Sequence, residues 1–556
     1  MVPDSWEATP RSGIRMGVKM SRKSKASKKS ESSASINRRS FMGTLAAAAG
    51  TGAVAGTLSP FAPSANAETV HFVSPPGLGG AGVFRTECDI RDCDVEGDIP
   101  LNIDGAFYRV GPDWQYPPMK GNIPFDGEGH VSMFRISNGH VDFKSRYPRT
   151  QRFKAQAAAR RRLFGMYRNP FSDDPSVKGV SRGTANTHVV YHHGLLFSLK
   201  EDSPPVAMNP HTLETVDDYY TFGGGLHSLT HTAHPKFDLA TGEMISYGYE
   251  AKGLATDDVY VFSADRAGHI TWECWIKVPY VGMIHDFAVS QKYIAFLILP
   301  MATNVERMKQ GQVHFAWDST LPTWFGVLER GGDGKDLRWF KGPERCATHV
   351  MGAFSDGNKI YVDMDMALKN QFPFFPNLHG EPFDPKAASG TVHRLSVDLS
   401  DKTPRDYGME ELYPQSGALP RQDDRYQTIP YKIGFMPTSD ATKPINPKLG
   451  NMAFRPTNSW TMFDHSNRQT RQFWVGDDSS LQECCFVPRS KDAPEGDGYL
   501  VGVANRLLEG GRSDMIIVDT QHLEDGPIAK VKLPFKTYSQ VHGWWVSGYD
   551  LPKEKV

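Results

Sequence analysis

The feature that most limits what this chain can become is a succession of short apolar or alternating runs, each closed by Gly, Asp, Asn or Pro. From Gly105 it continues over roughly 400 residues. Ala106–Val110, His188–Leu199, Glu243–Glu250, Val259–Ala264, Tyr293–Leu299, Lys359–Met364, Tyr499–Val503 and Met515–Asp519 are examples, rich in β-branched and aromatic residues. Strands so evenly spaced predict an all-β chain and favour a β-propeller over a single sandwich, although no Trp-Asp type repeat marks the blades. Phe153–Tyr167, rich in Ala and Arg, predicts a helix inserted between strands. The Pro-rich stretch Gln371–Pro385 predicts a loop excursion over one face.

Ahead of the strands lies a segment of another kind. Residues 1–67 carry ten basic and three acidic residues, and residues 21–40 are basic, Ser-rich and nearly free of apolar side chains. Then come Arg38-Arg39, Ser40-Phe41, a mildly apolar Ala/Gly run, and Ala65-Asn66-Ala67. A charged region, a short apolar stretch and a small-x-small site predict a cleaved export signal of the twin-arginine type. The expected organisation is thus a disordered leader over 1–67, cut near Ala67, and one domain over 68–556 in an exported, periplasmic protein. Its expected partner at this stage is the twin-arginine machinery, which carries folded cargo, often with its cofactor in place. Elsewhere no uncharged apolar run reaches the ~18 residues of a transmembrane helix. The chain's formal charge is -1, so with a basic leader the body is acidic, which argues against nucleic acid as a partner.

Several motif matches fail on context. Gly77-Leu78-Gly79-Gly80-Ala81-Gly82 fits G-x-G-x-x-G but follows Pro75-Pro76 and leads into no helix. Gly179-Val180-Ser181-Arg182-Gly183 fits G-x-S-x-G, yet a strand follows where a nucleophile elbow needs a helix. The six cysteines are too few and scattered for a disulfide scaffold, and no C-x-x-C pair exists; Cys88 and Cys93 are the one candidate bridge. Among 19 histidines, His234, His285, His349 and His542 each stand at or beside the end of an apolar strand. Inner strands of distant blades would bring such residues together on a propeller axis, a convergence that spacing alone does not establish.

Phe107-Tyr108-Arg109-Val110-Gly111-Pro112 and Pro124-Phe125-Asp126-Gly127-Glu128-Gly129-His130 resemble the carotenoid cleavage oxygenase family. The likeness continues through Thr232–Lys236, His285-Asp286-Phe287, Phe486-Val487-Pro488-Arg489 and Val541-His542-Gly543, covering about residues 95–546. Leu163–Pro170, Asp173–Val177 and Lys200-Glu201-Asp202 are similar to the bacterial branch acting on lignostilbenes and isoeugenol. The resemblance implies a seven-bladed β-propeller with a helical and loop cap over the metal-bearing face. It implies one non-haem iron(II) held by His234, His285, His349 and His542, with dioxygen as co-substrate. Four neutral imidazoles suit iron and leave coordination positions open. Glu201 and Glu483 match two of three glutamates that orient the ligand rings in the family.

Two positions depart from the family pattern. The third glutamate is replaced by Ala418, two residues before Pro420, and Gly352 stands where H-x-x-N-A expects Asn after His349. Loss of an outer partner typically lowers metal affinity or activity by about 10–100-fold, and a water or Gln415 are the candidates to take its place. Phe125, Tyr167 and Lys200 match the phenol pocket of stilbene-cleaving relatives: Phe125 would stack on the ring, while Tyr167 and Lys200 would act on the phenol itself. A Lys ammonium and a Tyr hydroxyl beside a para-phenol favour the phenolate, which makes a conjugated alkene electron-rich. The reading this supports is an alkene-cleaving iron(II) dioxygenase acting on a small phenolic stilbene or propenylphenol. Its rivals are the same chemistry on an apocarotenoid, a non-catalytic binding propeller with a degraded metal site, and a serine hydrolase at Ser181.

Overall fold

The structure is a computed structural model that describes residues 84–553 apart from 451, 453, 454, 538 and 539. The expected export leader and the Gly77–Gly82 motif therefore lie outside the described residues. Seven antiparallel sheets, each of four strands or five, succeed one another along the chain as the blades of a propeller. Blade 1 is built on Gly105–Asp113, Glu128–Ser137 and His140–Arg146, with Cys88–Ile90 at its outer edge. Blades 2 to 7 begin at His188–His192, Lys236–Asp238, Phe287–Val289, Cys346–Asp356, Arg421–Gln422 and Ser479–Pro488.

The ring is closed twice. The C-terminal strand His542–Ser547 pairs with Gly105–Asp113 and becomes the innermost strand of blade 1. The second strand, Asp94–Gly97, pairs with Pro527–Lys532 as the outermost strand of blade 7. Closure by both termini pairs strand edges that would otherwise be exposed. Arg109, fully buried, reinforces the junction by donating to the carbonyls of Glu483 (3.0 Å) and Gln540 (2.8 Å) and to Gln482 Oε1 (3.0 Å).

Alternating strands bury one face against each neighbouring blade, and aromatic residues fill the wedges. Trp460 is fully buried and lies across Gly502, where an added Cβ would sit 2.5 Å from its ring. A side chain there would overpack the wedge, at about 1–3 kcal/mol. The predicted strand His188–Leu199 is a hairpin, His188–His192 and Leu195–Leu199, turning at His193 and Gly194, both at positive φ. The predicted helix is shorter than its composition suggests: Gln151–Ala159, started by Thr150 Oγ1 accepting from Phe153 N (2.9 Å) and ended by Arg160 in the left-handed conformation. The remainder, to Tyr167, is irregular. Cys88 and Cys93 are separate free thiols rather than a bridge.

Three insertions build the cap: the helix and loops between blades 1 and 2, the pair Met301–Thr303 and Phe315–Trp317 within blade 4, and the loop at Gln371–Pro385 within blade 5. No helix among the described residues is long and apolar enough to cross a membrane.

Candidate metal centre and phenol pocket

Each blade's innermost strand starts at the axis, so residues far apart in sequence meet there. His234 and His285 lie two residues before their inner strands, His349 lies within Cys346–Asp356, and His542 opens the closing strand. One nitrogen from each of the four falls within 4.8 Å of the others. His349 Nε2 stands 3.1 Å from both His285 Nε2 and His542 Nε2, and His234 Nε2 is buried without a hydrogen-bond partner. Two pairing irregularities explain how strand residues reach the centre. The register of Cys346–Asp356 shifts around His349, and that of Ser479–Pro488 shifts between Leu481 and Cys484, at Glu483. Such bulges re-aim side chains.

The outer nitrogens fix the tautomers. His285 Nδ1 donates to Glu201 Oε1 (2.5 Å), and His542 Nδ1 donates to Glu483 Oε1 (2.8 Å), so both rings turn an Nε2 lone pair inward. Burial alone would raise the two carboxyls. Lys200 and His285 around Glu201, and His542 and Arg421 around Glu483, outweigh it and hold both at about 2. Burial, then neighbouring His542, holds His234 and His349 well below the usual imidazole range, so both are neutral. Four converging imidazoles, with His234 Nε2 unpartnered, fit a divalent transition metal.

His349 lacks the carboxylate partner that His285 and His542 have. Its Nδ1 is buried and without a hydrogen bond, and Gln415 does not supply one, since its Oε1 is buried without a partner while its Nε2 donates to Thr470 Oγ1 (3.4 Å). Ala418 donates its backbone N–H to Pro437 O (3.3 Å) and offers no side-chain acceptor. The nearest carboxylate is Asp365, with Oδ1 3.9 Å from His349 Nδ1. Asp365 is held by Thr348 Oγ1 (2.6 Å), the His349 backbone N–H (2.6 Å) and Gln371 Nε2 (3.3 Å), and burial raises its pKa. Sequence reasoning missed it. The available signal was a carboxylate set between Met364 and Met366 on a core strand.

The three pocket residues do meet. Lys200 Nζ donates to Tyr167 Oη (3.1 Å), lies 3.6 Å from Glu201 Oε2, and stands 5.7 Å from the Phe125 ring centre. Burial, then Glu201, raises the Tyr167 pKa well above the phenol range, so its hydroxyl keeps its proton. Phe374 packs on Phe125 (5.6 Å) and Phe375 on Tyr167 (5.4 Å), while Phe372 reaches to 6.3 Å from His285. The predicted loop excursion thus supplies the aromatic wall. An apolar pocket of about 510 Å3, lined by Pro124, Met166, Val313 and Phe374, adjoins it. Ser181 has no histidine or carboxylate on its hydroxyl among the described residues; that hydroxyl accepts only from Gly183 N (3.3 Å).

Residues 83–547 match the family described as retinal pigment epithelial membrane protein. The chain belongs to this family of carotenoid cleavage oxygenases. Within it, the chain is 42% identical over 487 residues to lignostilbene-alpha,beta-dioxygenase isozyme III of Sphingomonas paucimobilis, covering 87% of this chain and 99% of that one. It is 41% identical to isoeugenol monooxygenase of Pseudomonas putida, covering 83% and 96%. Among solved structures, lignostilbene dioxygenase of Pseudomonas brassicacearum superposes with a TM-score of 0.83 at 38% identity, over 86% of this chain and all of that one.

Proposed function

We propose that this oxygenase uses iron(II) and dioxygen to cleave the side-chain alkene of a 4-hydroxyphenyl substrate, a stilbene or propenylphenol, into two carbonyl products. The observation that carries the reading is the position of Glu201. One of its oxygens accepts from His285, and the other lies 3.6 Å from the Lys200 ammonium that bonds Tyr167. A single buried carboxylate thereby sets the distance between the metal centre and the phenol anchor. The similarity to lignostilbene-, isoeugenol- and resveratrol-cleaving enzymes supports the same substrate class.

His234, His285, His349 and His542 would hold the iron, which supplies dioxygen activation. Phe125 stacks on the substrate ring and, with Phe374 and Phe375, keeps water from it. The Tyr167 hydroxyl donates to the substrate's phenol oxygen, and the Lys200 ammonium beside it favours the phenolate. Charge delocalised from that oxygen into the conjugated alkene makes it electron-rich. One C=C and one O2 give two C=O groups, so no protein group need supply or remove a proton overall. Export is part of the same proposal, supported by Arg38-Arg39 and the small-residue site ending at Ala67.

The test uses the chain without residues 1–67, reconstituted with iron(II), assayed for bound metal by elemental analysis and supplied with resveratrol and isoeugenol under air. Near one iron per chain together with aldehyde products is the expected result. Iron without aldehydes from either phenol would redirect the substrate to an apocarotenoid. Failure to bind iron would leave a non-catalytic propeller.

A further inference from the structure

A second pocket reaches three of the four histidines, and Phe125, Tyr167 and Lys200 do not line it. It encloses about 60 Å3, room for about two waters. His234, His349 and His542, all buried, line it together with Lys236, Asp424 and Gln427, which are half-buried. Its wall therefore grades from partly exposed to buried residues as it nears the centre. The charges along it are paired: Lys236 with Asp286 (2.7 Å) and Arg421 with Asp424 (2.9 Å).

Apart from His234 Nε2 and His349 Nδ1, three polar atoms of lining residues are not paired. His188 Nε2, Gln422 Oε1 and Thr428 Oγ1 are buried and have no hydrogen-bond partner. The His188 ring stands 4.9 Å from that of His542 and 5.4 Å from that of His234. Its Nδ1 lies 2.8 Å from the Ala233 carbonyl, which only accepts, so Nδ1 carries the proton and Nε2 the lone pair. Gln422 Oε1 owes its position to Gly352, where a Cβ would lie 2.0 Å from it. The residue that departs from the family pattern thus makes room for an unpartnered amide oxygen. Unpaired buried acceptors are unfavourable, and three in so small a pocket call for a species that takes lone pairs.

We propose that His188, Gln422 Oε1 and Thr428 Oγ1 form a weak capture site for a divalent transition-metal ion, from which iron passes to the four-histidine centre. The inference rests on the reading of that centre as an iron site. An imidazole favours a transition metal over magnesium or calcium. The absence of a free carboxylate among the three donors keeps the hold weak, as a transfer position requires. The opposite approach is walled by Phe125, Phe372, Phe374 and Phe375, and a hydrated cation crosses aromatic side chains at a large desolvation cost.

The test follows metal uptake rather than turnover. Metal-free wild type and His188→Phe are given iron(II) without oxygen, and protein-bound iron is measured over time and again at equilibrium with excess free iron. The wild type is expected to hold one iron tightly and a second weakly. His188→Phe should lose the weak one and fill the tight one about tenfold more slowly, with the same final tight occupancy and the same turnover once loaded. Uptake as fast as wild type with the weak iron retained overturns the proposal. Should His188→Phe not fold, Gln422→Leu removes another donor at similar volume and must slow uptake likewise; unchanged uptake there also overturns it. A wild type that takes no iron at all would remove the metal reading, and this inference with it.

Discussion

On one side of the four histidines stand Phe125, Phe372, Phe374, Phe375 and Tyr167, with a single ammonium, Lys200, among them. On the other stand His188, Lys236, Asp286, Arg421 and Asp424 around a small polar pocket. The aromatic side is built largely from cap insertions, the polar side from the inner strands of the blades and the segments beside them. The difference separates two tasks that one opening would serve poorly. In the proposed function, an apolar wall with one placed charge selects an aryl substrate by its phenol. In the proposal above, a polar wall with its charges paired admits a metal ion and holds it only weakly. Glu201 belongs to the first side and Glu483 to the second, since only Glu483 lines the polar pocket.

Ligand loss makes the largest change and ignores the division. His542→Ala should abolish bound iron and turnover of every substrate by elemental analysis and product assay; a variant that retains a full iron would contradict the ligand assignment. Next, Glu201→Gln should lower iron affinity by about 10–100-fold and also weaken selection for phenols. Glu483→Gln should match the first effect without the second. Equal behaviour of the two variants toward hydroxy- and methoxystilbenes would erase the distinction between the sides.

Asp365→Ala should cost less, about tenfold in iron affinity by metal titration, because 3.9 Å is beyond a direct hydrogen bond to His349. No change there would mean that His349 needs no outer partner. The smallest effect on iron content and turnover concerns the buried cluster behind Tyr167. Arg168 donates to Glu250 Oε2 (2.5 Å) and to Tyr249 Oη (2.6 Å), and His314 Nε2 lies 2.9 Å from the same carboxylate. Burial would raise Glu250, but His314 and Arg168 hold it at about 2 against an ordinary 4.5. A depressed carboxyl stabilises the fold fully above its unfolded pKa. Its contribution should therefore persist down to about pH 4.5 and disappear as pH falls through about 2. Acid unfolding of wild type and Glu250→Gln should differ in that window, and superimposed curves would refute the linkage.

Much of the blade architecture was legible because period-2 patterning and turn residues are local properties. The hairpin in His188–Leu199 was missed because its turn, His193-Gly194, sits inside a nearly continuous β-forming run. The helix was overextended because its end depends on the left-handed conformation of Arg160, which composition does not disclose. The four histidines stood out at strand ends, their role as ligands came from a family likeness, and their meeting is a consequence of ring closure, which no window of sequence contains. The bulges that aim His349 and Glu483 are properties of strand pairs, not of strands. His188 and Asp365 carried no motif; only their unpaired or near-paired atoms in the folded chain single them out.

In the proposed function the aromatic side reads a phenol through Lys200 and Tyr167, while the four histidines hold the metal. The most direct test compares kcat/KM for 4-hydroxystilbene and 4-methoxystilbene in wild type and Lys200→Met, with bound iron measured in both. The account expects wild type to prefer the hydroxystilbene by about a hundredfold, and the variant to lose that preference at unchanged iron content. An undiminished preference in Lys200→Met, with iron intact, would contradict it.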